Sequence, residues 1–261
     1  MKKICSICNC EMNSIFTATL LNRYTVQYYQ CPNCEYLCTE NPYWLEESYK
    51  TPINFTDTGI LVRNILFSKI TSCLIFFIYS KEKQYLDYGG GYGIFTRLMR
   101  DIGFDFYWFD PFADNLFAKG FEYPSNTEEI ELITSFENFE HFVDPIIDLE
   151  KIKAISPNIL FSTKLLPKPI LGPGDWWYYG LEHGQHVSFY SEKTLQTIAD
   201  KFGLKYYSLE HDLHLLTHHK LNKFSLLIIK KIYWMIFPMI RLLTQPKIFE
   251  DMELLKKRHN P

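Results

Sequence analysis

Residues 85–93 read Tyr-Leu-Asp-Tyr-Gly-Gly-Gly-Tyr-Gly, and this stretch decides which fold the sequence predicts. An apolar run ends in Asp87, and glycines then occupy the alternate positions 89, 91 and 93. Glycine permits a sharp turn and lets a ligand lie directly against the main chain. A helix beginning near Ile94 would offer free backbone N–H groups and a partial positive charge to an anionic group. The pattern therefore predicts a strand, a ligand-binding glycine loop and a helix.

The glycine spacing separates two classes of ligand. A dinucleotide site requires the spacing G-x-G-x-x-G. Counted from Gly89, the third glycine would fall at Ile94; counted from Gly91, it would fall at Thr96. The spacing therefore does not fit an NAD site. The acid two residues before Gly89 and the alternating glycines instead resemble motif I of class I S-adenosylmethionine-dependent methyltransferases.

A second acid follows a second predicted strand. Phe104–Phe109 is an aromatic run typical of a buried strand, and Asp110-Pro111 comes directly after it. An acid at the end of the second strand, about twenty residues past a glycine loop, can accept hydrogen bonds from ribose hydroxyls. The alternative is that Asp110 is a turn residue before proline. The resemblance implies that Asp110 holds the adenosine ribose of the cofactor.

A third block consists of a predicted strand over Ile130–Phe136, followed by an acidic and histidine-containing turn at 137–145. It resembles the segment after the fourth strand in the same family, and a doubly wound Rossmann-like α/β sheet is the implied fold. Position 136–139 reads Phe-Glu-Asn-Phe, which differs from the Asn/Asp-Pro-Pro-Tyr block of enzymes that methylate base amino groups. The resemblance implies an S-adenosylmethionine site formed by Asp87, Tyr88, Gly89, Gly91, Gly93, Asp110, Pro111, Ser135, Phe136 and Glu137.

A fourth block, WWYYGLEHGQHVSFYS at 176–191, resembles the acceptor-side segment of small-molecule and sugar methyltransferases. Ser191 is a good N-cap for the helix that follows. A hydroxyl acceptor is helped by a general base whose pKa is near neutrality, and histidine fits that role. The candidates are His141, His183 and His186. For each of them the alternative is a structural or substrate-orienting histidine.

The N-terminal residues form a separate module. Cys5-x-x-Cys8 and Cys31-x-x-Cys34 are two thiolate pairs separated by 22 residues. Four thiolates at this spacing favour Zn²⁺ or, less often, iron, in a small zinc-ribbon-like module. The alternative is a pair of disulfides, which needs an oxidising compartment. No apolar export signal follows the first residues, so the sequence predicts a cytoplasmic protein with a bound Zn²⁺.

Composition and apolar stretches complete the predicted organisation. The segments are a metal module at 1–40, a helical connector at 41–80, a methyltransferase domain at 81–220 and a C-terminal helical segment at 221–261. The apolar run at 59–80 is expected to be a helix leading into the first strand. In residues 224–245, Pro238 is expected to break the helix. That segment either packs on the fold, forms a dimer or contacts a membrane surface peripherally.

The resemblance implies O-methylation of a small acceptor. The implied acceptors are a sugar, a nucleotide-activated sugar or a phosphoramidate intermediate of surface (capsular) polysaccharide. For a phosphoramidate, Lys164, Lys168 and Arg97 would neutralise the phosphate. The net charge of −3 and the few cations in 1–40 disfavour a nucleic-acid partner, and hence the alternative of an RNA methyltransferase. A non-catalytic scaffold that binds the cofactor is the other alternative.

Overall fold

The computed structural model describes residues 2–50, 57–124 and 129–259, apart from the side chains at 223 and 259. The strands are β1 (Asn13–Leu20), β2 (Tyr24–Gln30), β3 (Leu37–Thr39), β4 (Gln84–Tyr88), β5 (Asp105–Phe109), β6 (Ile130–Ser135), β7 (Ile159–Ser162), β8 (Ser188–Phe189), β9 (Lys205–Ser208) and β10 (Leu213–Thr217). The helices are α1 (Leu45–Ser48), α2 (Ile60–Ile78), α3 (Ile94–Ile102), α4 (Pro145–Ile155), α5 (Glu192–Phe202), α6 (Lys223–Leu227), α7 (Tyr233–Leu243) and α8 (Ile248–His259).

The strands form two sheets. A four-stranded sheet has the order β1-β2-β3-β8, and a six-stranded sheet has the order β5-β4-β6-β7-β10-β9. Strand β4 pairs in parallel with β5 on one side and with β6 on the other. The strand order therefore reverses at β4, and α/β sheets bind their ligands at the carboxyl ends of strands at such a point. The predicted α/β, Rossmann-like fold is confirmed.

The chain divides into two compact units. The first unit consists of Met1–Asn54, Phe136–Pro157 and Phe161–His219, and the second of Phe55–Ser135, Asn158–Leu160 and Lys220–Pro261. The predicted segments 1–40, 41–80, 81–220 and 221–261 follow other boundaries and stay a prediction. Residues 51–56 of the predicted connector lie outside the described residues.

The second unit contains the glycine loop and its flanking elements. Buried aromatic side chains hold its strands, and the ring of Tyr85 on β4 stacks on Phe106 of β5 at 5.1 Å. Helix α3 begins at Ile94, as predicted, and ends at Ile102. The next residue, Gly103, has a φ of 120°, a conformation that a residue with a Cβ rarely adopts. Strand β5 begins at Asp105, one residue later than the predicted run.

Two further helices of this unit bear on the apolar stretches. The predicted helix at 59–80 is α2. Among the helices in the described ranges, only α2 is long and apolar enough to cross a membrane, and 44% of its apolar window is buried inside the protein. Helix α7 continues through Pro238, so the predicted break there is wrong. The proline removes only one backbone N–H, and the irregular geometry lies instead in a π-helical turn at Ile228–Ile232.

The first unit contains the cysteine module and the histidine block. The 22-residue insert between the cysteine pairs forms the β1–β2 hairpin, whose inner face packs on aromatic side chains of the block at 176–191. Strand β3 pairs with β8, and the Tyr36 hydroxyl lies 2.5 Å from Ser188 Oγ. Ser191 caps α5 in a reciprocal arrangement with Thr194, which confirms the predicted N-cap.

Candidate active site

The glycine loop after β4 has the backbone that the sequence predicts. Gly89, Gly91 and Gly93 have φ values of 73°, 53° and 83°, in the left-handed region that favours glycine. The N–H groups of Gly89 and Gly90 both donate to the carbonyl oxygen of Phe109, at 2.7 and 3.1 Å. The loop is thereby fixed to the end of β5, at the edge of the sheet where the strand order reverses.

Gly90 is a constrained position that the alternating pattern does not single out. A Cβ at Gly90 would lie 2.7 Å from Asp87 Oδ2 and 2.7 Å from Trp108 Cδ1. Trp108 also donates its indole N–H to the carbonyl oxygen of Gly91, at 2.9 Å. The run of three consecutive glycines at 89–91, of which Gly90 is the middle one, is the sequence signal that could have identified this position. The loop therefore needs a residue without a side chain at Gly90 so that it can lie against these two groups.

Asp87 is buried beneath the loop. Its carboxylate accepts hydrogen bonds from the hydroxyl groups of Thr96, at 3.1 Å, and Thr134, at 3.0 Å. Burial raises the pKa of Asp87 to about 7, although these two hydrogen bonds oppose the increase. Asp87 therefore supports the loop from below, and neither threonine was among the predicted site residues.

Asp110 binds backbone groups on two sides. Its Oδ2 accepts from the Gly91 N–H at 2.8 Å, and its Oδ1 accepts from the N–H groups of Phe112 and Ala113 at 2.8 and 2.9 Å. The turn-residue interpretation is therefore correct as far as local structure goes. A carboxylate has about four lone-pair sites, so these three bonds leave acceptor capacity for a hydroxyl. The ribose role of Asp110 stays a prediction.

The other predicted cofactor residues are divided between the two units. Tyr88 at the end of β4, Pro111 after β5 and Ser135 at the end of β6 belong to the second unit. Phe136 and Glu137 belong to the first unit. There, Glu137 has a φ of 52°, and its carboxylate accepts a hydrogen bond from Ser162 Oγ at 2.6 Å.

A cofactor with a ribose and a charged end fits the glycine loop and Asp110 of the second unit. The left-handed glycines at 89, 91 and 93 allow a ligand to lie against the main chain, and α3 begins directly after the loop. The Asp110 carboxylate is held in place by three N–H donors. Asp87, Gly89, Gly91, Gly93 and Asp110 are thus brought together as predicted, and they fit S-adenosylmethionine.

The three predicted histidines lie together in the first unit. The ring centroids of His141 and His186 are 5.1 Å apart, and those of His183 and His186 are 4.7 Å apart. Glu140 is part of the same cluster and was not among the predicted site residues. Its place in the sequence, next to His141, was visible, but its burial depends on contacts with distant residues.

Hydrogen bonds distinguish the histidines. Nδ1 of His186 lies 2.6 Å from the carbonyl oxygen of Tyr178, so that nitrogen carries the proton and Nε2 keeps a lone pair. Nδ1 of His183 accepts from the Gln185 N–H at 3.1 Å, so in the neutral ring its Nε2 carries the proton. Nδ1 of His141 lies 3.0 Å from the Tyr49 hydroxyl. This pattern favours His186 and His141 over His183 as bases.

The pKa values of the cluster are shifted by burial. Burial lowers the pKa of His141 to about 3 and that of His186 well below its usual value, and it also lowers the pKa of His183. Burial, with the negative charge of Glu137 as a smaller cause, raises the pKa of Glu140 to about 8. The imidazoles are therefore neutral at pH 7 and offer nitrogen lone pairs.

The four predicted metal ligands also lie together in the first unit. Cys5, Cys8, Cys31 and Cys34 each offer a sulfur within 4.8 Å of the other three. The Cys5–Cys34 and Cys8–Cys31 sulfur pairs are 3.6 and 3.4 Å apart. Zinc at about 2.3 Å from each of four tetrahedral sulfurs requires sulfur separations of about 3.8 Å. The donor set therefore fits Zn²⁺, which stays a prediction.

The sequence was compared with known proteins. It matches a family described as a methyltransferase domain over residues 64–209. It matches no curated protein sequence. Similar solved structures include human N-acetylserotonin methyltransferase in complex with SAM, at 15% identity and a TM-score of 0.43, covering 68% of this chain and 66% of that one.

Two more solved structures are similar to the chain. Magnesium protoporphyrin IX methyltransferase from Synechocystis PCC 6803 with bound SAM has 9% identity and a TM-score of 0.40, covering 67% of this chain and 92% of that one. OxaC in complex with sinefungin and meleagrin has 18% identity and a TM-score of 0.38, covering 51% of this chain and 41% of that one. The chain thus spans less than two thirds of the human enzyme and of OxaC. Because the family match covers more than half of the 261 residues and confirms the predicted enzyme class, the chain belongs to the methyltransferase-domain family.

Proposed function

We propose that the protein transfers a methyl group from S-adenosylmethionine to an oxygen atom of a small polar acceptor. The observation that carries the proposal is the glycine loop, with three left-handed glycines and the Asp110 carboxylate bonded to the Gly91 N–H. The spacing of this loop does not fit NAD. A methyltransferase-domain family match over 64–209 agrees with it.

Methyl transfer requires the protein to align the acceptor with the cofactor and to remove the acceptor's proton. Bound S-adenosylmethionine supplies an electrophilic methyl group on a sulfonium, so the chain has to hold the acceptor oxygen in line and accept its proton. His141 and His186 are neutral and half-buried, and a lone pair remains on Nε2 of His186. Such nitrogens can accept a hydrogen bond from an acceptor hydroxyl and receive its proton, although their lowered pKa values make them weaker bases than the near-neutral histidine that the sequence predicts.

The surroundings of the histidines favour a sugar or a nucleotide-activated sugar as the acceptor. The ring of Tyr178 lies 4.7 Å from that of His186, and the neighbouring Trp177 is 73% exposed. Tyr178 is buried, so Trp177 is the exposed ring; aromatic rings beside a few fixed polar groups are typical of small-molecule sites. The resemblance implies such an acceptor in surface polysaccharide biosynthesis.

A phosphoramidate acceptor receives less support from the cations proposed for it. The Lys164 ammonium lies 2.7 Å from Asp212, and that of Lys168 lies 2.9 Å from Glu35. Arg97 pairs with Asp101 and Asp251. These cations are already paired with carboxylates, so a phosphate would have to compete for them. A phosphoramidate therefore ranks below a sugar hydroxyl.

Calorimetric titration with S-adenosylmethionine and, separately, with NADH tests the cofactor. Micromolar binding of S-adenosylmethionine alone is expected, whereas binding of NADH alone would overturn the proposal. Transfer of a radiolabelled methyl group is then measured with sugar nucleotides, phosphoramidates and RNA as parallel acceptors. Labelling of RNA only would replace the sugar proposal, and cofactor binding without any labelling would favour the non-catalytic scaffold.

A further inference from the structure

An acid and two imidazoles meet within the first unit. One ligand atom from each of Glu140, His141 and His186 lies within 4.8 Å of the other two. We propose that these three side chains bind a divalent transition-metal cation, at a site separate from the four cysteines. Two imidazoles and one carboxylate that leave further positions open are a ligand set suited to Fe²⁺ and related cations.

Main-chain pairing brings the three side chains together. The Val187 N–H donates to the Glu140 carbonyl oxygen at 2.8 Å. The hydroxyls of Ser188 and Tyr190 donate to the carbonyl oxygens of Phe142 and Phe139, at 2.5 and 2.8 Å. The segment 139–142 is therefore bound along 187–190. This pairing fixes the ligands on packed backbone, which a precise metal site requires.

The Glu140 carboxylate is the observation that points to a cation. Its side chain is 0% exposed, and neither carboxylate oxygen has a hydrogen-bond partner among the described residues. A buried polar group without a partner costs free energy, and the charged form of the carboxyl group would cost several kcal/mol. A cation bound between this carboxylate and the two imidazoles would satisfy both oxygens. The side chains of Tyr178 and Thr163 lie near enough to oppose the rise in the pKa of Glu140, but neither makes a hydrogen bond of normal geometry to its carboxylate oxygens.

The histidines are oriented as metal ligands usually are. His186 donates its Nδ1–H to the Tyr178 carbonyl oxygen, and His141 Nδ1 is bonded to the Tyr49 hydroxyl. Histidines that bind metals commonly use their second nitrogen in this way, which fixes the ring and directs the other lone pair at the metal. Both rings are half-buried, so a further ligand can reach the site.

A cation here would change the roles of the two histidines. Their lone pairs would be bound to the metal, and the cation would lower the pKa of an acceptor hydroxyl bound to it. The proposal goes beyond methyl transfer and does not depend on it, because cation binding is measured without cofactor or acceptor.

Metal content per chain tests the proposal. Full-length protein without a polyhistidine tag is equilibrated with Zn²⁺, freed of excess ion and measured by inductively coupled plasma mass spectrometry. Glu140→Gln and His186→Ala are each expected to lose one equivalent relative to the wild type. His218→Ala, which changes an exposed histidine of the same unit, is the matched control and should lose none.

Cobalt substitution separates loss of the site from loss of the fold. Thiolate-to-cobalt absorption from the four-cysteine site should persist in Glu140→Gln. Tyr49→Phe should weaken binding of the second equivalent by about 10–100-fold, because it removes the group that orients His141. The proposal is overturned if the wild type binds metal only at the cysteines, or if Glu140→Gln retains the full content.

A second, independent observation concerns α7 in the second unit. Its exposed side chains lie in two neighbouring rows spaced four residues apart, which places them on one face of the helix. Trp234 is 62% exposed, Met239 60% and Leu242 85%, whereas Ile240 is buried. The rows consist of Trp234, Pro238 and Leu242, and of Met235, Met239 and Leu243. We call this face the α7 stripe.

The sequence on both sides of α7 is basic. Between Asp212 and Glu250 the sequence has no acid and six cations, although the whole chain has a net charge of −3. These cations are Lys220, Lys223, Lys230, Lys231, Arg241 and Lys247. We infer that the α7 stripe binds an anionic lipid surface, as basic amphipathic helices with exposed tryptophan do. A symmetric dimer through this face would place like charges opposite one another.

Vesicle co-sedimentation tests the lipid inference. Binding is expected to phosphatidylcholine vesicles that contain roughly 30% phosphatidylserine, and to weaken at high salt. Replacing Trp234 and Leu242 with alanine should reduce binding by at least about tenfold. Trp177→Ala, an exposed tryptophan of the first unit, is the matched control. No binding to anionic vesicles, equal binding to neutral ones, or a dimer that the double variant dissociates would overturn the inference.

Discussion

Replacing Asp110 with asparagine separates its structural role from its predicted ribose role. The carboxylate accepts three backbone N–H groups at 2.8, 2.8 and 2.9 Å. An asparagine can keep its oxygen at the Oδ1 position, where Phe112 and Ala113 donate. Its NH₂ group would then face the Gly91 N–H, and two donors cannot bond each other.

The magnitude follows from the bonds that are lost. A hydrogen bond to a charged group contributes about 1.5–3 kcal/mol, so Asp110→Asn should lower the free energy of unfolding by roughly that amount. If the carboxylate also accepts from the ribose, one of its acceptor positions is lost as well. The dissociation constant for S-adenosylmethionine should then rise about 10–100-fold, which corresponds to about 1.4–2.8 kcal/mol.

Two measurements on the same protein decide between the roles. Urea unfolding gives the stability, and calorimetric titration with S-adenosylmethionine and S-adenosylhomocysteine gives the affinity under conditions where the variant is folded. Asp114→Asn, which makes the same change of charge at a nearby exposed acid, is the control. If Asp110→Asn is less stable but binds both ligands as tightly as the control, the ribose role is refuted and Asp110 is only a turn residue.

Three further predictions concern other parts of the chain. Burial raises the pKa of Asp87 to about 7, so between about pH 4 and pH 7 the folded state binds more protons than the unfolded state. The free energy of unfolding should therefore decrease as the pH rises from about 4 to about 7, by at most roughly 4 kcal/mol. Asp87→Asn should lack this fall in urea unfolding across that range, and an unchanged profile would contradict the raised pKa. Asp251→Asn should lower the free energy of unfolding by about 1.5–3 kcal/mol, because Arg100, only 4% exposed, then keeps Asp105 as its one carboxylate partner. A free energy of unfolding in urea equal to that of the wild type would refute this. Cys31→Ser should release the metal of the four-cysteine site and destabilise the first unit, and full zinc content by mass spectrometry would exclude Cys31 as a ligand.

The features that the sequence predicted correctly are those determined by neighbouring residues. The left-handed glycines follow from the alternating spacing at Gly89, Gly91 and Gly93. The bounds of α3 follow from the glycines on either side of it, and the cap at Ser191 follows from its position before the helix. In each case the cause lies within a few residues along the chain.

The features that the sequence could not predict depend on contacts between distant residues. Glu140 is buried because 139–142 pairs with 187–190, and no spacing rule connects these segments. The choice among the three histidines required their hydrogen-bond partners, such as the Tyr178 carbonyl oxygen for His186. Gly90 is constrained by Trp108, which reaches the loop from the next strand in the sheet.

The buried acids of the protein show why Glu140 calls for an explanation. Among the described residues, the buried carboxylates are those of Asp87, Glu140 and Asp251. Asp251 bonds to two arginines, and Asp87 accepts from two threonine hydroxyls. Only Glu140 has no hydrogen-bond partner among those residues.

A carboxyl group in that position has to bind a proton or a cation. One nitrogen of each of the half-buried imidazoles of His141 and His186 lies within 4.8 Å of a Glu140 oxygen. Both imidazoles can bind a cation jointly with the carboxylate, whereas a proton on Glu140 could form a hydrogen bond to only one of them. The cluster of Glu140, His141 and His186 is therefore better suited to a metal ion than to a buried protonated acid.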